Sequence, residues 1–248
     1  MRKHIPNLLT LLNLLAGIIA VIFAVEGYLI PAGILVLLGI FFDFFDGFTA
    51  RLLGVQGELG KQLDSLADVV TSGVVPGIVM FQLLKTSIGG WDGISLMPSI
   101  FLQEGYSFLP FLGFAISLAS AYRLANFNID TRQSSSFIGV PTPANTIFVI
   151  SLPFILSYGS NDFINDIILN KWFLIAVTLI GSYLMNANIP LFSLKFKDYS
   201  LKNNGIKYSF LGLSVLMLVL LQFVAVPLII VLYVLLSLLE NSKKGNSN

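Results

Sequence analysis

The sequence has no cysteine and a single histidine, His4. A disulfide framework, a thiolate nucleophile and cysteine-bound zinc are therefore excluded, and almost no imidazole chemistry remains. Charge is scarce as well: 11% of the 248 residues are Asp, Glu, Lys or Arg, against roughly 25% in a soluble domain. Fourteen Lys and Arg nearly balance thirteen Asp and Glu, leaving a net charge of +1. No basic stripe interleaved with aromatics marks a nucleic-acid partner. Any metal site in this chain has to be built from carboxylates.

What the chain has in abundance is apolar sequence: 56% of its residues are hydrophobic and its mean hydropathy is +0.86. Apolar stretches occur at about 7–25, 29–53, 62–86, 108–128, 143–159, 170–188, 206–222 and 224–240. Most approach the roughly 20 residues that cross a bilayer as a helix. They predict an all-α polytopic membrane bundle of about eight transmembrane helices, one domain over residues 1–240 with a flexible cytoplasmic tail at 241–248. The run from Leu211 to Leu239 is punctuated only by Gln222 and Pro227. It is too long for one span and predicts a tight turn near those residues. Met-Arg-Lys-His before an apolar run resembles a signal-peptide start, but Ile5 to Val25 is long and has no convincing small-residue cleavage site, which predicts a retained first helix. No internal repeat or inverted pair of broken helices is evident, which counts against a transporter.

The position of the charges says more than their sum. Arg2, Lys3, Arg51, Lys61, Arg123, Arg132, Lys195, Lys197, Lys202, Lys207, Lys243 and Lys244 fall on one side of the eight-helix map, and only Lys85 and Lys171 on the other. This bias puts both termini and the aspartate segment at the cytoplasmic face, and so short a chain without targeting extensions is expected in a prokaryotic inner membrane. The connections at about 87–107 and 160–169, with Asp92, Glu104, Asp162 and Asp166, then face outward and read as solvated turns.

Four carboxylates stand apart from this pattern. Asp43 and Asp46 are three residues apart, and Asp64 and Asp68 four apart, within otherwise apolar sequence. On a helix either spacing puts both carboxylates on one face. Gly54, Gly57 and Gly60 lie between the pairs and predict a tight return at the cytoplasmic boundary, so that the two faces converge. Carboxylates near hydrocarbon are expensive, and four together are hard to explain as packing. All-oxygen ligands favour hard cations, and Mg²⁺ or Mn²⁺ suits phosphate chemistry best. Two such ions can bridge a diphosphate, while a carboxylate less committed to metal takes a hydroxyl proton. Gly47, Ala50 and Gly60 would let a flat or phosphorylated ligand approach the backbone, with Arg51 a permanent cation at its edge.

These residues carry a resemblance. Asp43-x-x-Asp46-Gly47-x-x-Ala50-Arg51, eight residues, then Gly60-x-x-x-Asp64-x-x-x-Asp68 resembles the complete signature of the CDP-alcohol phosphotransferases, membrane enzymes that move a phosphatidyl-type group from a CDP-linked donor to an alcohol. Pro6 to Asn13 resembles the family's first helix. Gly60 to Val70, Tyr122 to Asn128 and Phe137 to Ala144 resemble the phosphatidylserine-forming branch, in which Ser65 stands where phosphatidylglycerophosphate synthases more usually have proline. Two positions depart from that branch: Asn126 replaces a frequent second Arg, and Val140 a frequent Leu.

The resemblance implies Asp43, Asp46 and Asp64 as metal ligands, and Asp68 as ligand and general base. Gly47, Ala50, Arg51 and Gly60 would lie along the CDP moiety. It further implies a six-helix core, a homodimer, CDP-diacylglycerol reached laterally from the bilayer, and L-serine as acceptor. Asn7, Thr10 and Asn13 recur on one face of the first helix and could donate to phosphate oxygens or bond neighbouring helices. Arg123 could bind an acceptor carboxylate or phosphate by a bidentate pair, or be one more basic residue at the cytoplasmic boundary. Ser65 and Pro141 complete the acceptor-side candidates, although Pro141 and Pro143 also suit a helix start. Three rivals remain: the same chemistry with glycerol 3-phosphate or an inositol compound, a divalent cation transporter with carboxylates near the midplane, and a purely structural membrane subunit.

Overall fold

The computed structural model describes residues 4–89, 108–129, 137–159, 161–192 and 201–245. The expected connection at 87–107 falls mostly outside them, as do Arg132, Lys195 and Lys197. Ten α-helices appear among the described residues: α1 (His4–Val25), α2 (Leu29–Leu53), α3 (Glu58–Asp68), α4 (Val75–Ser87), α5 (Ala115–Ile129), α6 (Thr142–Tyr158), α7 (Asp162–Ile168), α8 (Lys171–Asn186), α9 (Leu201–Leu221) and α10 (Ala225–Gly245). Two-residue strands, β1 (Phe137–Ile138) and β2 (Pro190–Leu191), pair antiparallel beside the bundle. The apolar periodicity gave no sign of them.

Every one of the eight apolar stretches is helical. Four segments are long and apolar enough to cross a membrane: His4–Val25, Leu29–Leu53, Glu58–Ser87 and Asn204–Glu240. A fifth follows if α7 and α8, bent by 59° at their junction, count as one span. The expected eight is thus not reached by length, because α5 has 15 residues and α6 has 17. The Asn204–Glu240 segment has 37 residues, about 55 Å if straight. It is instead a hairpin. Gln222 has φ 50° at the end of α9, and the Phe210 and Tyr233 rings on either side of the turn lie 5.7 Å apart. This is where the long run predicted a break. α7 replaces the expected solvated turn at 160–169: Asn161 Oδ1 caps it by accepting from Ile164 N, and Ile168 is buried. α10 runs through Gly245, into the segment expected as a flexible tail; 246–248 lie outside the described residues.

The bundle is inside-out relative to a soluble protein. α1 buries Ala16, Gly17, Ala20 and Ala24 while Leu8, Leu11, Leu15, Ile18 and Ile22 are exposed. On α2, Ala32, Gly33, Val36 and Gly39 face inward and Phe41, Phe44, Phe45 and Phe48 outward. Small residues let helices approach closely where lipid offers no hydrophobic driving force, and large apolar side chains face the acyl chains. α4 is the central helix, with Val75 through Met80 all buried.

Between α3 and α4 the helix continues without a break through a π-helical turn, Val69–Val74. Packing around this turn leaves no room for side chains: a Cβ at Gly39 would stand 2.6 Å from Thr71 Cγ2 and 2.8 Å from Asn13 Oδ1. We expect Gly39→Val to destabilise the protein by about 1–3 kcal/mol, the usual effect of overpacking, read as a lower unfolding midpoint in detergent. An unchanged midpoint would mean that α2 and the π-turn are not in close contact.

Candidate active site

α2 ends in a Schellman arrangement: Gly54 has φ 62°, its N–H donates to Arg51 O, and Val55 N donates to Ala50 O. The chain reverses through Val55 to Gly57 and starts α3, whose first helical bond runs from Lys61 N to Gly57 O. The glycine-rich return expected from the sequence is therefore present. It turns the aspartates of α3 toward the last turns of α2, with α1 packed on both.

The convergence places Asp43, Asp64 and Asp68 together, each with a carboxylate oxygen within 4.8 Å of the others. Asp46, the fourth expected ligand, falls outside this group; Thr10 Oγ1 donates to its Oδ2 at 2.5 Å. Asp46 and Asp68 are 5% and 9% exposed. Asn13 Nδ2 donates to Asp68 Oδ1 at 3.1 Å. The oxygen-only donor set fits a hard divalent cation, and Asp64 Oδ1 is buried without a protein hydrogen bond, as an oxygen meant for a cation would be. The cluster can hold a metal.

The remaining expected site residues surround this centre. Gly47 and Ala50 are half-buried and Arg51 is exposed; a Cβ on Gly47 would lie 3.5 Å from the Arg51 guanidinium, so the two are close neighbours. Gly60 faces Asn7, whose Oδ1 lies 3.4 Å from where a Cβ would be. Of the first-helix candidates for phosphate contact, Thr10 and Asn13 are thus bound to aspartates of other helices, whereas Asn7 is half-buried at the mouth beside Gly60. The helix-bonding alternative holds for the inner two.

The acceptor-side candidates divide differently. Ser65 Oγ accepts from Asn128 Nδ2 at 2.8 Å, and the Asn128 carbonyl accepts from Lys61 Nζ at 2.6 Å. Lys61 and Asn128 lie in the segments that resemble the phosphatidylserine-forming branch, but the sequence gives neither a place in the site, because their contact joins helices 67 residues apart in the chain. Arg123 is 8% exposed, and its NH1 donates to Ile138 O at 2.9 Å and to Met185 O. It latches α5 and α8 to β1. Among the described residues no carboxylate partners this buried cation. Gly139, with φ 71°, passes beside it and donates to Ile189 O at 2.8 Å. Pro141 precedes the first residue of α6 and its carbonyl accepts from Ala144 N and Asn145 N. This is the helix-starting position that two prolines suggested.

The site lies at one end of the bundle. Asn7, Gly60, Lys61 and Asn128 meet there, and α6 begins and α8 ends at the same end, near Arg123. A cavity of about 500 Å³ opens between Tyr28, Pro31, Leu83, Thr86, Pro153 and Asn165, where α1, α4 and α6 finish and α2 begins. It is at the opposite end, and among the described residues none that line it is charged.

Known proteins resemble this chain in sequence. Three of the chain's curated relatives illustrate the similarity. The CDP-diacylglycerol–serine O-phosphatidyltransferase of Bacillus subtilis is 29% identical over 156 residues, 61% of this chain and 76% of that protein. The enzyme of that name from Mycobacterium leprae is 30% identical over 196 residues, 75% of this chain and 57% of that protein. The archaetidylserine synthase of Methanothermobacter thermautotrophicus is 31% identical over 150 residues, 59% of this chain and 56% of that protein. The chain thus spans between about half and three quarters of the length of these relatives. The family model for CDP-alcohol phosphatidyltransferases matches residues 3–184, a range that contains all four aspartates, the glycine return between them and Arg123. This chain therefore belongs to the CDP-alcohol phosphatidyltransferase family.

Proposed function

We propose that the protein transfers the phosphatidyl group of CDP-diacylglycerol to the hydroxyl of L-serine, giving phosphatidylserine and CMP. The observation that carries this reading is the gathering of Asp43, Asp64 and Asp68 within 4.8 Å at one end of an apolar bundle. The names of the relatives supply the acceptor. Asp43, Asp46, Asp64 and Asp68 would hold two divalent cations, Mg²⁺ or Mn²⁺. Bound there, the cations would neutralise the diphosphate and favour departure of CMP.

The chain's own residues supply the rest. Gly47, Ala50 and Gly60 leave the backbone open to the cytidine and diphosphate, and exposed Arg51 offers its cation to a phosphate oxygen. Asn7 faces the same opening. Asp68 takes the proton from the serine hydroxyl as its oxygen bonds to the lipid-side phosphorus. The bond from that phosphorus to the bridging oxygen breaks, and CMP departs with the bridging oxygen and its electron pair. Burial of Asp68 removes competing water from the carboxylate that needs the proton. Ser65, held by Asn128, and the Arg123 latch shape the acceptor side, where serine's carboxylate and ammonium must be met. The active site and both termini face the cytoplasm, and the protein works as a homodimer in a prokaryotic inner membrane.

The test is CMP release from CDP-diacylglycerol by the purified protein with serine, glycerol 3-phosphate or inositol as the added alcohol. Serine is expected to raise the rate about 100-fold or more over either rival, since a site built for one polar acceptor leaves groups unpaired with another. Release that does not depend on serine would defeat the assignment.

A further inference from the structure

A short circuit of contacts joins Asn13 of α1 to the π-turn that follows Asp68. The side-chain amide of Asn13 donates through Nδ2 to Asp68 Oδ1 at 3.1 Å, and the main-chain carbonyl of the same residue accepts from Thr71 Oγ1 at 3.2 Å. Thr71 is the third residue of the chain after Asp68 and sits inside the π-turn. Asn13 is therefore attached both to the carboxylate and to the backbone turn that carries it. Asn13 and Thr71 are both fully buried, so neither contact competes with water.

The π-turn gives this attachment a purpose. One extra residue in a helical turn rotates everything beyond it by about 100°, so Val69–Val74 sets the facing of Asp64 and Asp68 apart from that of α4. Such turns interrupt the regular ladder, and their carbonyls need other donors. Thr146 Oγ1 of α6 donates to Ser72 O at 2.7 Å, and Ser117 Oγ of α5 donates to Gly73 O at 2.9 Å. The turn is thus fixed from two sides by hydroxyls and from α1 through Thr71.

The amide itself is not arranged for stability. Its Oδ1 is buried and has no hydrogen-bond partner. A buried amide that satisfies one of its groups and leaves the other orphaned is a poor structural device, since the orphan carries its full desolvation penalty. What this amide does provide is one N–H held against one carboxylate oxygen.

We propose that Asn13 is a positioning residue for Asp68. Its amide fixes one carboxylate oxygen of Asp68 and so directs the other toward the cluster, and the π-turn and Thr71 fix its reach. This rests on the reading of Asp68 as base and metal ligand given above.

The test is Asn13→Leu in the full-length protein in detergent. It conserves volume and removes both the N–H and the orphaned oxygen, so a merely structural role would show as unchanged turnover, or as a lowered unfolding midpoint that accounts for any loss of turnover. The expected result is a kcat lower by about 10- to 100-fold, the loss of one hydrogen bond to a charged group, with KM for serine and for CDP-diacylglycerol within about twofold of the parent and no fall in the unfolding midpoint. A kcat within about twofold of the parent overturns the proposal, as does a loss that follows a lowered unfolding midpoint or a raised KM. If Asn13→Leu does not yield folded protein, Asn13→Asp is read the same way, because it keeps the shape and replaces the N–H donors by oxygen. Asp68→Asn measured alongside separates the two levels. An active Asp68→Asn removes the reading of Asp68, whereas an inactive Asp68→Asn beside a fully active Asn13→Leu removes only the role of Asn13.

Discussion

Asp68→Asn should lower serine-dependent CMP release by at least about 10³-fold while leaving the protein folded. A positioned general base contributes roughly 10²- to 10⁴-fold, and the same substitution weakens the metal cluster by exchanging a charged oxygen for a neutral one. Folding should survive because asparagine is nearly isosteric and keeps a carbonyl oxygen, so Asn13 Nδ2 still has an acceptor at the 3.1 Å position. Asp64→Asn should be comparably inactive through loss of a ligand, since Asp64 has an oxygen buried without a protein partner. Purified variants with parent-like unfolding midpoints, assayed with saturating serine, would give these values directly. Retention of more than about a tenth of the parent rate by either variant would mean that the aspartates do not perform the chemistry assigned to them.

Removal of divalent metal is expected to have the other largest effect. With EDTA, release of CMP should fall to background, and Mn²⁺ or Mg²⁺ should restore it. The physical reason is that Asp43, Asp64 and Asp68 place carboxylate oxygens within 4.8 Å of one another, where like charges repel strongly at low dielectric unless a cation lies between them. The same site predicts a change of stability. A cation that binds only the folded protein, at about 100 times its Kd, adds about 2.7 kcal/mol, so the unfolding midpoint should rise with Mn²⁺ in the parent and much less in Asp64→Asn. Equal midpoints with and without Mn²⁺, together with EDTA-resistant turnover, would rule out the metal site.

The spacing of the aspartates was enough to expect that Asp43, Asp64 and Asp68 converge, though not that Asp46 falls outside their group, because helical geometry converts three- and four-residue intervals into shared faces and the glycines between them leave little choice but a reversal. The helical stretches were equally legible, since a long apolar run has few alternatives in a bilayer. Other features left no mark in the sequence. The π-turn at Val69–Val74 is invisible because Thr71, Ser72 and Gly73 would serve equally as small interface residues of a regular membrane helix. Arg123 shows a charge to the reader of a sequence but not the carbonyls of Ile138 and Met185 that come from 15 and 62 residues away. Thr10 and Asn13 were correctly placed on one polar face. Which partner they would find depended on how α1 packs against α2 and α3, and in the structure Thr10 bonds Asp46 and Asn13 bonds Asp68. The count of membrane crossings was the least legible feature, as α5 and α6 are helical but short.

The most direct measurement follows one oxygen atom. Serine labelled with ¹⁸O in its hydroxyl, incubated with the protein, CDP-diacylglycerol and Mn²⁺, should give phosphatidylserine that carries the label and CMP that does not, in equal amounts. Label in CMP, or CMP formed without labelled phosphatidylserine, would contradict attack by the serine hydroxyl on the lipid-side phosphorus.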